Sequence, residues 1–400
     1  MQKFRQVSKV LSLAILFSLL LGACAQAASP LASPTTPPTL TNPTTTSAPQ
    51  EAATTSPTAL SASTPTGTTS FTVTDALGRI VSFDQAPRKI ALVGKAVIMV
   101  ADGVYLFPQA EEKITAISEM NQSAYNFISM IDPNFSQKGL LAKNVGPEQI
   151  AAVQPDAVIM KSTNVDKLGK PLEALNIPVI YLDLETPEQY QRDILILGTI
   201  FQDTSRAEAV AKYFQDGVDT VNQTLANLPE AGKPRTLLLY YEAANGTAAF
   251  NVPPKSWIQT TMVNLSGAIP VWQDFQLENG WTTVSLEQIA AWNPDVIFVT
   301  SYSTPIPEVM ASLKADPKWQ ALAATQNGKL FGFAADVYSW DQPDTRWILG
   351  LKWMAKTLHP DLFADVDIMK EAQNFYSTLY AMDQQTFQAK IVPLLQPNLQ

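Results

Sequence analysis

Short apolar runs recur along the chain from residue 71 onward, separated by stretches long enough to be helices. In the first half they cover 89–93, 114–118, 157–160 and 179–183; in the second they cover 236–241, 296–300 and 329–333. Runs this short, without polar alternation, mark strands buried on both faces. Strands alternating with helices make an α/β fold with parallel sheets. The two groups predict two Rossmann-like lobes, 71–190 and 234–392, with a ligand cleft between them. In the intervening segment Ala207, Val210, Ala211, Phe214, Val218, Val221, Leu225 and Leu228 fall at helical spacing behind Asp203 or Thr204 as cap. They predict a single long spine helix inside 191–233, stopped by Leu228-Pro229. At about 1.5 Å per residue it would be about 37 Å long, enough to run along both lobes and to hold their motion to a small hinge.

One pattern occurs twice. EQIAAVQPD fills 148–156 and EQIAAWNPD fills 287–295, 139 positions later. Each copy reads as a short helix, begun by Pro147 or Ser285 and stopped by Pro-Asp, running into one of the apolar strands. A helix that precedes a parallel strand begins at the carboxyl edge of the sheet, where ligands enter open α/β folds. Glu148 and Glu287 are therefore expected at equivalent points on the crevice rim, suited to docking on a basic partner at two points.

The first seventy residues carry different information. Lys3, Arg5 and Lys9 precede an apolar run over 10–21, and Leu21-Gly22-Ala23-Cys24 follows it. This is a secretory leader (1–23) ending in a stretch that resembles a lipobox, which implies a lipid on Cys24 and anchoring to a membrane without spanning it. Residues 25–70 hold 14 Thr, 7 Ser, 8 Pro and 9 Ala, with Glu51 as the one charge. Such a composition buries no core, so 24–70 is expected to be a disordered tether reaching about 140 Å when stretched. The chain has a single Cys, which leaves no internal disulfide.

Charge and residue usage narrow the function. Without Lys3, Arg5 and Lys9 there are 24 basic against 36 acidic residues, a net charge near −12, which disfavours nucleic acid as a partner. No Walker or dinucleotide glycine loop and no G-x-S-x-G elbow occurs. The one histidine, His359, excludes a His-rich metal site and is expected to close a helix at the surface. A pair of carboxylates could still hydrolyse glycosides, Glu242 with Asp336 or Asp341 being the nearest candidates.

The order lobe, helix, lobe, with Asp75 to Val81 matching D-x-x-G-R-x-V, then Pro87-Arg88-Lys89-Ile90, the two nonapeptides, Trp319-Gln320-Ala321-Leu322 and Gly328-Lys329-Leu330, resembles the periplasmic binding proteins of ABC importers for iron–siderophores, haem and cobalamin. The resemblance covers about 71–360. It implies a monomeric, extracytoplasmic carrier, not an enzyme and without cofactor, anchored through Cys24. It would deliver an iron chelate, cobalamin or haem to a permease of two subunits with its ATPase. The family's permease-docking glutamates correspond to Glu148 and Glu287. A haem carrier, or a sensory module on the same fold, is the alternative.

Loops after strand carboxyl ends line the crevice of such folds. The first lobe then offers Lys95, Asn121, Tyr125 and Lys161. The second offers Tyr240, Tyr241, Trp257, Tyr302, Tyr338, Trp340 and Arg346. Aromatic surface suits a large chelate, and Arg346 or Lys161 is expected to meet carboxylate or phosphate groups on its periphery.

Overall fold

The computed structural model describes residues 70–120, 123–244 and 247–396. The leader, the tether with Cys24, and Asn121 lie outside the described residues. Strands β1 (Phe71–Thr74) and β2 (Ile80–Phe83) form an antiparallel hairpin. Asp75 ties its turn by accepting from the Leu77 and Arg79 amides at 3.0 Å. Arg79 reaches on to Glu173 and to the Val179 carbonyl, both at 2.6 Å, and so fastens the hairpin to the first lobe.

The first lobe is a five-stranded sheet of β3 (Ile90–Leu92), β4 (Ile114–Ser118), β5 (Gly139–Leu141), β6 (Ala157–Lys161) and β7 (Val179–Leu182), in the order β5-β4-β3-β6-β7. All of its pairings are parallel. Ile90, Leu92 and Ile159 face the large core shared with the second lobe, while Ala91, Val158 and Met160 face a smaller cluster with Ile150 and Leu172. Both faces are covered, which is why the strands read as unbroken apolar runs.

The second lobe contains β8 (Arg235–Ala244), β9 (Thr247–Val252), β10 (Ile269–Pro270), β11 (Thr282–Val284), β12 (Val296–Thr300) and β13 (Leu330–Gly332), in the order β11-β9-β8-β12-β13 with β10 beside β8. Here the expectation of a parallel sheet holds for β8, β10, β12 and β13 only, because β9 pairs antiparallel with both β8 and β11. The reason is local. In sequence Asn245-Gly246 separates β8 from β9, and Asn-Gly favours a two-residue hairpin over a crossover helix.

The spine helix runs from Thr204 to Leu225. Asp203 caps it by accepting from the Arg206 amide at 3.1 Å. It ends three residues earlier than Leu228, and a second helix, Pro187–Phe201, packs against it after a reversal at Gln202, whose φ is 57°. A Cβ on Gly198 would lie 2.4 Å from the Ala207 Cβ, so only glycine permits that approach. The spine bridges the lobes: Phe214 stacks on Trp347 of the second lobe at 5.6 Å, and Arg206 donates to the carbonyls of Leu106 and Leu379. His359 does close the helix Trp347–Leu358, but it is buried, 3.2 Å from the Gly267 carbonyl, and not a surface residue.

Candidate functional site

The repeated nonapeptide performs the same structural task in each lobe. In both it connects the outermost strand, β5 or β11, to an interior strand on the far side of the sheet's centre, β6 or β12, through the helix Pro147–Ala152 or Leu286–Trp292. Ile150 and Ile289 are fully buried and anchor the helices. Gln154 and Asn293 adopt left-handed backbone, φ 49° and 46°, which turns the chain into Pro-Asp. The aspartates then clamp the start of the neighbouring strand. Asp156 accepts from the Arg88 and Lys89 amides at 2.8 and 2.9 Å, and Asp295 accepts from the Arg235 amide at 2.8 Å. The leading glutamate of each copy takes no part in this. Glu148 and Glu287 are exposed in the first helical turns, and neither forms an ion pair among the described residues. The Glu287 carboxylate is held below its usual range by its own backbone amide and by Ser285.

At the carboxyl edge of the second sheet four half-buried rings form a wall. Tyr240 stacks on Tyr302 with centroids 4.7 Å apart, Trp281 lies 5.1 Å from Tyr240, and Trp257 meets Trp281 edge-on at 5.5 Å. Beneath them sits Asp341, fully buried. Its carboxylate accepts from Tyr302 Oη at 2.6 Å, Thr300 Oγ1 at 2.7 Å, Ser339 Oγ at 2.5 Å and Gln259 Nε2 at 3.5 Å. Burial raises the Asp341 carboxyl above its ordinary value, against the pull of these donors, and burial followed by the neighbouring carboxylate pushes the Tyr302 hydroxyl well up.

The family model for periplasmic binding proteins matches residues 90–337, more than half of the chain. The chain belongs to the periplasmic binding protein family. It is 25% identical to the molybdate-binding protein MolA of Haemophilus influenzae over 334 residues, 76% of this chain and 92% of MolA. It is also 25% identical to the vitamin B12-binding protein of Pectobacterium atrosepticum, over 42% of this chain and 59% of that protein. A periplasmic solute binding protein from Veillonella parvula superposes with a TM-score of 0.66 at 25% identity, covering 82% of this chain and 98% of its own. These relatives are solute-binding proteins and not enzymes, which sets the glycosidase reading aside. Geometry agrees: Glu242 is exposed on β8, whereas Asp336 and Asp341 are buried. Family membership places the protein outside the cytoplasm, and family members serve ABC importers; MolA is the cognate binding protein of the transporter HI1470/71. Among the described residues no helix is long and apolar enough to cross a membrane.

In this binding protein the described residues expected at the crevice divide into four groups. Tyr240, Trp257 and Tyr302 come together in the ring wall, while Lys95 and Tyr125 are exposed on the first lobe. Tyr241 follows Tyr240 on β8, so it stands on the opposite face of the sheet, against Phe250. The remaining expected residues are engaged inside the protein. Lys161 is 2% exposed and ion-paired with Glu185, so it is not the free cation expected. Arg346 corrects the expectation further. It is fully buried where the lobes meet, paired with Asp102 of the first lobe and with Asp336 at 2.8 Å, and near Asp344 at 3.8 Å. The rings of Phe127 and Tyr338 cover its guanidinium at 4.3 and 5.0 Å. Tyr338 Oη accepts from the Phe127 amide at 3.0 Å, and Trp340 Nε1 donates to Asp336 at 3.0 Å, so both are core residues of this junction. Burial pushes the Asp102 carboxyl up to about 6, despite Arg346. Sequence reasoning missed Trp281 and the Asp341 donor set. Asn279-Gly280 followed by Trp281-Thr-Thr-Val carried a usable signal, a turn dipeptide ahead of a β-prone run.

Proposed function

We propose that the protein is a membrane-anchored carrier that captures a metal chelate of the corrinoid or iron–siderophore class and delivers it to an ABC permease. The supporting observation is the ring wall of Tyr240, Tyr302, Trp281 and Trp257 at the sheet edge where open α/β folds take their ligands. Rings packed against one another are held rigid, so a broad ligand loses little side-chain entropy on binding. The scarcity of free positive charge supports a chelate of low negative charge: Lys161 and Arg346 are neutralised by carboxylates, leaving Lys95 and Lys255 exposed. In this reading Glu148 and Glu287 dock on the permease and the lipid on Cys24 keeps the carrier close to it.

A second reading has its own support. MolA, a molybdate-binding protein, aligns over 92% of its length, so a small oxyanion is the rival cargo. Tryptophan fluorescence of the full-length protein, titrated with cyanocobalamin, a ferric siderophore, haemin and sodium molybdate, separates the two. Saturable quenching by a chelate, weakened in Trp257→Leu and Trp281→Leu, is the expected result. A response to molybdate alone makes the cargo an oxyanion, and no response to any of the four removes the cargo class.

A further inference from the structure

Buried aspartates in this protein are almost all neutralised by a neighbouring cation. Asp75 pairs with Arg79 at 2.7 Å, Asp132 with Lys138 at 3.0 Å, Asp193 with Arg192 at 2.7 Å, and Asp102, Asp336 and Asp344 share Arg346. Asp341 is the exception: among the described buried aspartates it alone has no cationic side chain within ion-pair distance. A buried carboxylate without a counter-charge is held at a cost to stability, and such costs persist where function requires them.

What surrounds Asp341 has a definite polarity. Tyr302, Thr300, Ser339 and Gln259 all direct donors inward at its two oxygens. A hydroxyl that has donated its one proton has only lone pairs left for other partners. Tyr302 and Ser339 are the half-buried members of the set, and Tyr302 belongs to the ring wall, so its hydroxyl links that wall to the carboxylate behind it. Gln259 Oε1, the other end of the amide that donates to Asp341, is buried and has no partner. At the carboxyl edge of the first sheet, beyond β7, Glu185 spends one oxygen on Lys161 while Oε2 is also buried without a partner. Gln259 Oε1 and Glu185 Oε2 are thus both acceptors that lack a donor.

We propose that the Asp341–Tyr302 pair, with Gln259, is a subsite that recognises a hydrogen-bond-donating or cationic group on the solute: an amide N–H, an ammonium or a positively charged coordination centre. The assignment rests on the reading that the ring wall is where the chelate binds. It inverts the charge expected from sequence, which looked to Arg346 and Lys161 for contacts to anionic groups. Within that reading it sorts the candidate cargoes. An uncharged chelate bearing several carboxamides meets acceptors where it needs them, whereas a polyanionic ferric chelate or molybdate meets the field of an uncompensated carboxylate.

The test uses the full-length protein as wild type, Asp341→Asn and Tyr302→Phe, with binding of cyanocobalamin, a ferric tricatecholate and molybdate measured by calorimetry. Asp341→Asn removes the charge at nearly constant volume; Tyr302→Phe keeps the stacked ring and removes only the hydroxyl. Wild type should prefer cyanocobalamin. Each variant should lose about tenfold or more of that affinity, the effect of one hydrogen bond backed by a charged group. Asp341→Asn should in addition bind the anionic probes more tightly than wild type does. If Asp341→Asn fails to fold, Tyr302→Phe alone carries the test. Unchanged cyanocobalamin affinity in folded variants, or a wild type that prefers either anion, overturns the subsite. A wild type that binds none of the three overturns the chelate reading on which the subsite stands.

Discussion

The two lobes share one plan and differ at one step. Position for position, β5-β4-β3-β6-β7 corresponds to β11-β9-β8-β12-β13, and the nonapeptide joins the outermost strand to the fourth strand of each sheet. In the first lobe β4 runs parallel to β3, whereas in the second β9 turns straight back along β8. The hairpin lets β8 extend to ten residues, and its pairing with β9 holds Tyr240 opposite Asn251, next to Trp281 and Tyr302. The first lobe's edge carries ion pairs instead, Lys161 with Glu185 and Arg192 with Asp183. One frame therefore supports two surfaces of opposite character. The frame is fixed by the repeated peptide and the chemistry by the strand that departs from it, a separation of fold from function expected of a widely reused architecture.

The two lobes are held together where neither plan alone would hold them. Among the described residues Arg346 is the one cation facing Asp102, Asp336 and Asp344, all buried. Replacing it leaves these carboxylates uncompensated. Arg346→Ala should cost about 3–5 kcal/mol in urea unfolding, the largest effect anticipated here. A loss below about 1 kcal/mol would show that the lobes cohere through the spine helix without this junction.

The same junction should make stability depend on pH. The Asp102 carboxyl titrates at about 6 in the folded protein, above its ordinary value of 3.8, chiefly through burial. Between these values the folded state binds a proton that the unfolded state does not. Stability should therefore fall as pH rises from about 4 to 6, and level off above. Asp102→Asn should flatten that part of the profile, the difference from wild type reaching on the order of 3 kcal/mol. Parallel profiles for the two proteins would mean that Asp102 is ionised throughout.

Much of the frame was legible in the sequence. The strands at 114–118 and 296–300 coincide with β4 and β12, because runs buried on both faces leave no polar interruption to confuse their limits. The cap at Asp203 and the apolar face of the spine follow from helical spacing and local hydrogen bonding. The hairpin at β9 is hard to read because Thr-Ala-Ala-Phe-Asn-Val is weakly apolar, which leaves the preceding Asn-Gly as its one local signal. The site was only half legible. Strand-end position placed Tyr240, Trp257 and Tyr302 at one sheet edge, where they do meet, but whether Arg346 or Lys161 is free depends on Asp102 and Glu185, which lie far from them in sequence. Sequence gives a residue's charge; its neutralisation is a property of the assembled lobes.

The shared plan itself can be tested through the clamps. Asp156 receives two backbone amides and Asp295 one, all near the surface. Asp156→Ala should cost about 1 kcal/mol in urea unfolding and Asp295→Ala somewhat less, since each lost bond is solvent-accessible. A reversed order would mean that the two copies of the peptide are not equivalent in structure.

The smallest effect on folding is expected at the two residues that motivate the functional reading. Glu148 and Glu287 occupy the first helical turns, exposed and without ion pairs among the described residues, and the rest of each nonapeptide has a structural task that these side chains do not share. An acid at a helix start interacts favourably with the helix dipole, but at an exposed site that interaction is screened. Glu148→Ala and Glu287→Ala should therefore unfold at the wild-type urea midpoint and bind solute as wild type does. Docking would give them a different signature. In proteoliposomes containing the cognate importer, each substitution should lower uptake, and Glu148→Lys with Glu287→Lys should lower it further, because like charges would then face a basic permease surface. If the single substitutions act unequally, one lobe carries the docking and the symmetry of the frame does not extend to function. Undiminished uptake in the double lysine variant would leave the two glutamates of the repeated peptide without a docking role.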